Sequence, residues 1–126
     1  MIGCFDVITH WKKIFDPKTK KDQFTRIVLP VLCKWRTREI RTATESGAIA
    51  KRYATVVIPD SNDYTFDGKI GDYVALGQHE TEITGEKPYT VTDIKKLLGP
   101  NFMQIEYVKD LTNSPIGRRH KIEGVV

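Results

Sequence analysis

The chain has 126 residues, 40% hydrophobic and 29% charged, with a formal net charge of +4. That size suits one domain with a core that needs neither disulfides nor a structural metal, and that composition excludes a disordered, collagen-like or coiled-coil chain. No run approaches the roughly 20 apolar residues of a membrane helix, and the opening MIGCFDVITHWKK has neither the apolar stretch nor the cleavage site of a secretory signal.

The dominant hydrophobic period is two. Phe5, Val7, Trp11 and Phe15 share one parity and Asp6, His10 and Lys12 the other, as in a half-buried strand. Residues 16–22 follow, where Asp16-Pro17 initiates a turn and lysines keep it in water. Alternation returns with Ile27, Leu29, Val31, Cys33 and Trp35 on odd positions, so the two segments predict a hairpin with Trp11 and Trp35 packed across it. Pro30 lacks the ladder donor and predicts a bulge or an edge. Residues 36–50 break the pattern; they are polar and carry Arg36, Arg38 and Arg41, and they read as one long loop.

Strand character resumes at Tyr53 and stops at Pro59, and residues 60–63 form a turn cluster. Gly71 and Gly77 bound another short strand. A short helix is predicted over about 92–99, capped by Thr92, packing through Ile94, Leu97 and Leu98, and ended by Gly99-Pro100. Met103, Ile105 and Tyr107 alternate in a further strand, residues 113–117 form a turn before Arg118-Arg119, and residues 120–126 form the last strand. About six strands with one helix predict a mainly β protein, a small antiparallel barrel or sandwich in a single domain over 1–126.

Chemistry is harder to find. The sequence holds no GxSxG, HExxH, GxxxxGK[ST] or GxGxxG. Glu80 and Glu82 share a face if extended, but nothing sets the separation a glycosidase needs. Cys33 could approach His10, yet its parity is that of the core, where free cysteine acts as a small hydrophobe. The three histidines and two cysteines have no ligand spacing. No catalytic residue, cofactor or metal site is expected, and the chain is not read as an enzyme. Charge is uneven: residues 1–58 hold 12 basic against 5 acidic side chains, and residues 59–126 hold 8 against 11. A basic half suits nucleic-acid phosphates, and unlike patches on one molecule equally suit head-to-tail self-contact in a ring.

Three blocks carry a resemblance. They are Asp6-Val7-Ile8-Thr9-His10-Trp11-Lys12-Lys13 with the turn after it, ITGEKPYTVTDIKKLLG from Ile83 to Gly99, and the end through Asp110, Asn113, Ser114-Pro115 and Gly117-Arg118-Arg119-His120 to Lys121-Ile122. Together they resemble short proteins of prophage structural-gene clusters in Gram-positive bacteria. Leu111 and Thr112 intervene before Asn113, and no aromatic stands near Lys121-Ile122, so the last hairpin departs from that pattern. The resemblance implies a head–tail connector of a long-tailed bacteriophage, similar to head-closure (stopper) proteins. It implies a homo-oligomeric ring of 6 or 12 copies in the virion neck, between portal or adaptor and tail terminator or tail proteins, built in the host cytoplasm without membrane contact. The channel-closing role falls on loop 36–50, with Arg36, Arg38, Arg41, Ser46 and Gly47, in transient sequence-independent contact with packaged DNA. Arg118 and Arg119 are expected at phosphates or subunit contacts. The alternatives are another neck or tail subunit, or a prophage nucleic-acid-binding accessory protein.

Overall fold

A computed structural model describes residues 3–18, 21–61, 63–115 and 117–126. Its elements in chain order are β1 (Ile8–Asp16), β2 (Lys21–Val28), β3 (Lys34–Thr44), β4 (Gly47–Pro59), β5 (Tyr73–Leu76), α1 (Val91–Leu98), β6 (Phe102–Gln104), β7 (Tyr107–Leu111) and β8 (Arg119–Val125). The strands make two antiparallel four-stranded sheets, ordered β2-β1-β5-β6 and β3-β4-β8-β7. The mainly β class and the single short helix agree with the sequence; the sheets stack as a sandwich and do not close into a barrel. Of the expected turns, Thr19, Lys20, Asn62 and Ile116 lie outside the described residues.

Eight strands stand where about six were expected, because two predicted strands each serve both sheets. At Leu29 the ladder with β1 makes its last bond, Leu29 N to Ile8 O at 3.0 Å. Pro30 then interrupts donation, and the chain crosses to the second sheet through the Asp6–Cys33 bridge. β6 and β7 likewise part at Ile105 and Glu106, where Ile105 N bonds Asp72 O at 2.8 Å and Glu106 N bonds Glu123 O at 2.9 Å. The hairpin is therefore β1 with β2 alone.

Between the sheets lie Ile8, Val74 and Met103 from the first and Ala54, Val56, Ile58 and Ile122 from the second, joined by Leu29, Cys33, Phe66 and Ile105. Each large side chain so buried stabilises the fold by roughly 1.5–3 kcal/mol. The first sheet is covered on its other face too, where Trp11, Ala75, Ile83, Ile94 and Phe102 cluster. The indole of Trp11 donates to Thr81 O at 3.0 Å and meets Phe102 edge-on at 5.7 Å. Trp35 packs instead on the inter-sheet core, so the expected Trp11–Trp35 contact does not form; the first sheet stands between them.

α1 begins at Val91, one residue before its expected start. Its cap is Thr90, not Thr92: Thr90 Oγ1 accepts from Asp93 N at 3.2 Å, and Asp93 Oδ2 accepts from Thr90 N at 3.3 Å, a reciprocal box. At 100° per residue this places Val91, Ile94 and Leu98 against the sheet. Leu97 falls outside that stripe and is 71% exposed, contrary to expectation.

Candidate functional site

The long loop expected over residues 36–50 is a β-hairpin. β3 and β4 pair continuously from Lys34–Val57 to Thr44–Gly47, around a two-residue turn at Glu45-Ser46. Gly47 takes φ +128°, which ordinary side chains rarely adopt. The segment looked like a loop because it has no apolar parity. A ribbon needs none when neither of its faces enters a core. β8 backs β4 only from Pro59 to Tyr53, whose partner is Val125. Beyond that rung six further β3–β4 rungs run past the end of β8, from Glu39–Arg52 to Thr44–Gly47, the first of them still tied by Val126 N to Arg52 O at 3.0 Å. At about 3.3 Å per residue they form an arm roughly 20 Å long.

The pairing separates the arginines that the sequence grouped. Opposed residues in an antiparallel ladder share a face. Arg36 pairs with Thr55 and Arg38 with Tyr53, on the face of the second sheet turned away from the core. Arg41 pairs with Ala50 on the opposite face of the arm, its Nε 3.5 Å from Glu39 Oε1. Ala43 pairs with Ala48 on that same side, and Ser46 and Gly47 occupy the tip. Arg118 lies at the end of the sandwich, Nη2 2.8 Å from the buried Oδ2 of Asp60, outside hydrogen-bond angle. Arg119 turns into its own loop, donating to Gly117 O at 2.9 Å and Ser114 Oγ at 3.4 Å. Arg118 and Arg119 are thus both engaged within the chain.

The outer face of the second sheet adds residues that the sequence reading missed. One rung runs Lys34–Val57–Lys121–Lys109, the next Arg36–Thr55–Glu123–Tyr107 and the third Arg38–Tyr53–Val125. Lys51 follows on the arm, opposite Ile40. Glu123 is held by Arg38 Nη2 at 2.9 Å and by Thr55 Oγ1 at 3.4 Å, while the Arg38 guanidinium stands 5.9 Å from the Tyr53 ring centre. Arg36, Arg38, Thr55, Lys121 and Glu123 line a shallow groove of about 390 Å³. Period-two spacing carried this signal, since Lys34, Arg36 and Arg38 alternate along one strand and Lys121 and Glu123 along another.

A second polar cluster lies inside. His10 does not face out, as its parity suggested, but is fully buried, with Nε2 2.9 Å from Asp72 Oδ2. Asp72 also accepts from Lys13 N and Lys69 N, each at 3.1 Å. Phe66 stands between His10 and His120, ring centres 5.2 and 6.0 Å apart. This network ties β1 to the loop before β5 and presents no nucleophile. Glu82 pairs with Arg26 at 2.9 Å in an irregular segment, so Glu80 and Glu82 do not share a strand face. Cys33 sits in the core, its thiol pushed up to about 12 by burial first and by Cys4 and Asp6 second. Among the described residues no group of His, Cys, Asp and Glu is arranged to hold a metal, and no helix is long and apolar enough to cross a membrane.

Comparison with curated proteins and with solved structures found no match. A family of unknown function, DUF6751, matches residues 5–124, and on that match the chain belongs to this family.

Proposed function

We propose that this protein is a ring-forming structural subunit of a long-tailed phage neck, acting as a head-closure component between portal or adaptor and tail. The observation that carries the reading is the arm. Six rungs of two-stranded ribbon run past the end of β8, and only at their base do Glu39, Ala50 and Arg52 border Pro100 and Val126. A lone hairpin is marginal in water, and its outer edges present unpaired N–H and C=O groups. Such an element gains order by lying against a neighbour, and repeated around an axis it narrows a channel. Closing a DNA channel is steric work, for which a ribbon suffices and no reactive group is needed. The resemblance in the three sequence blocks supports a place in the virion neck, and 6 or 12 copies are the expected ring sizes.

The test is the mass of the purified protein in solution, beside a variant in which residues 41–50 are replaced by Asn-Gly, a pair suited to a tight hairpin turn. The parent is expected to assemble into a ring and to occur in purified particles. The shortened variant is expected to keep its circular dichroism and melting temperature yet remain a monomer. A parent that stays monomeric and is absent from particles refutes the reading. A monomer or dimer that binds duplex points to the accessory-protein alternative instead.

A further inference from the structure

We infer that the outer face of the β3-β4-β8-β7 sheet is a binding surface for the phosphate backbone of duplex nucleic acid, read without regard to sequence. Arg36, Arg38, Lys51, Lys109 and Lys121 project from this face, with Lys34 at its margin. Among the described residues Glu123 is the one carboxylate between them, and Arg38 holds it. Arg36, Lys51, Lys109 and Lys121 have no carboxylate within ion-pair distance among the described residues. Next-but-one residues on a strand lie about 6.6 Å apart, and four strands span about 14 Å. The cations therefore form a grid rather than a point, and the groove over Thr55 dips between Arg36 and Lys121.

Charge complementarity selects the occupant. A second copy of the chain is a poor match, because many of its carboxylates are engaged at home and the rest are dispersed. Asp67 is held by Lys12, Glu82 by Arg26, Glu39 by Arg41, Asp60 by Arg118 and Asp72 by His10. The others without an ion pair, such as Glu45, Asp63, Glu80 and Glu106, are spread over the arm tip, two loops and the β6–β7 step. Among the described residues these carboxylates form no grid that mirrors the basic one. Duplex nucleic acid carries one charge per about 1.7 Å of its axis, a density that a cation grid can meet. The exposed ring of Tyr107 and the half-buried ring of Tyr53 add apolar contact at the sugars. The inference does not need the ring: a monomer carrying this face binds duplex equally, and a ring can form without it.

The experiment is fluorescence anisotropy of labelled DNA duplexes of two unrelated sequences. With four free cations each meeting a phosphate, log affinity is expected to fall against log salt with a slope of about −3.6, roughly 150-fold between 50 and 200 mM. The double variant Arg36→Glu, Lys121→Glu is expected to bring that slope to about −2 for both sequences. Lys95→Glu, Lys96→Glu on α1, across the sandwich, is expected to leave it unchanged. Circular dichroism confirms that each variant is folded. Absence of parent binding at 50 mM overturns the inference, as does an equal loss in the α1 variant. Displacement of the duplex by poly-glutamate at lower charge concentration overturns it in favour of an acidic protein partner.

Discussion

At Gly124 the two sheets approach closely, and Gly124→Ala tests the sandwich geometry directly. It lies on β8 opposite Ala54, facing the core. A Cβ there would fall 2.1 Å from the carbonyl oxygen of Gln104 on β6 and 3.2 Å from Met103 Sδ. Carbon and oxygen in ordinary contact stand at roughly 3.5 Å, so β6 and β8 would have to part by more than an ångström. The obstructing atom is backbone, and β6 is tied to β5 through Tyr73–Gln104, so no side-chain rotation relieves it. Overpacking costs about 1–3 kcal/mol where side chains can yield; here the upper end, about 3 kcal/mol, is expected. Total stability for this length is roughly 6–19 kcal/mol, and the midpoint should drop by about 12 °C. Thermal unfolding measures the midpoint, and urea unfolding followed by the fluorescence of Trp11 and Trp35 measures the free-energy loss, with an unchanged m-value as the sign that only the native state is affected. Gly85→Ala is the comparison, since a Cβ there meets nothing within 4 Å and suffers only from φ +81°. A Gly124→Ala loss no larger than that of Gly85→Ala would refute the close approach.

Asp72→Ala should be among the most destabilising substitutions. It leaves His10 Nε2, Lys13 N and Lys69 N without their acceptor in a buried site, an expected loss of about 3–5 kcal/mol in equilibrium unfolding; a change below 1 kcal/mol would show that water replaces the carboxylate. Cys33 should react with a thiol reagent no faster than the protein unfolds, because its thiol is buried and held near 12; modification at a free-thiol rate would mean an open core. The acid limb of stability should come from Asp67, Asp93 and Asp110, lowered by hydrogen bonds from Lys12, Thr90 and Thr112 respectively. Their folded values lie below 3.8, so the unfolded chain takes up protons first. Their contribution is present above that value and is lost as pH falls through the folded values. Asn at all three positions should flatten the decline seen in a pH series of denaturant midpoints, and an unaltered decline would exclude these groups as its source.

Local signals survived the step from sequence to structure better than facing did. The helix, the strand bounded by Gly71 and Gly77 and the last strand rest on caps, glycines and short alternations, and each formed within a few residues of its expected bounds. The capping box at Thr90 and Asp93 was present in the sequence as a T-x-x-D step, two residues before the Thr92 that was read as the cap. β1 misled because both its faces are covered. Ile8 and His10 look toward the other sheet, Thr9 and Trp11 toward the α1 side, and the polar pair is buried because each has a partner: Asp72 for His10, and Gly77 O and His79 N for Thr9. Alternation records apolar side chains, not satisfied polar ones. The sheet crossings at residues 29–33 and 105–106 were hidden for a different reason. Strands on both sides of each crossing face the same core, so the apolar rhythm continues while the hydrogen-bond partners change.

The arm alters what any gating by this segment has to be. A fifteen-residue loop can move aside piecemeal, because each residue reorders almost independently. Once ordered against a neighbour, a ribbon with six cross-strand rungs holds its shape, so displacement concentrates at its base. That base is defined: the last three-stranded rung is Tyr53–Val125, and the bond from Val126 N to Arg52 O is the final tie to β8. Arg38 stands at this rung, joined to Glu123 and lying over Tyr53. The two strands that make the arm are also the two that carry Arg36, Arg38 and Lys51 on the basic face. Under the proposed reading, a polyanion lying on that face and a neighbour gripping the arm therefore act on one pair of strands. The hinge between them falls at the Arg38–Glu123 pair, whose opposite charges phosphate competition would separate. Coupling of that kind needs no melted loop and no chemistry, only a stiff lever with its fulcrum beside the charges.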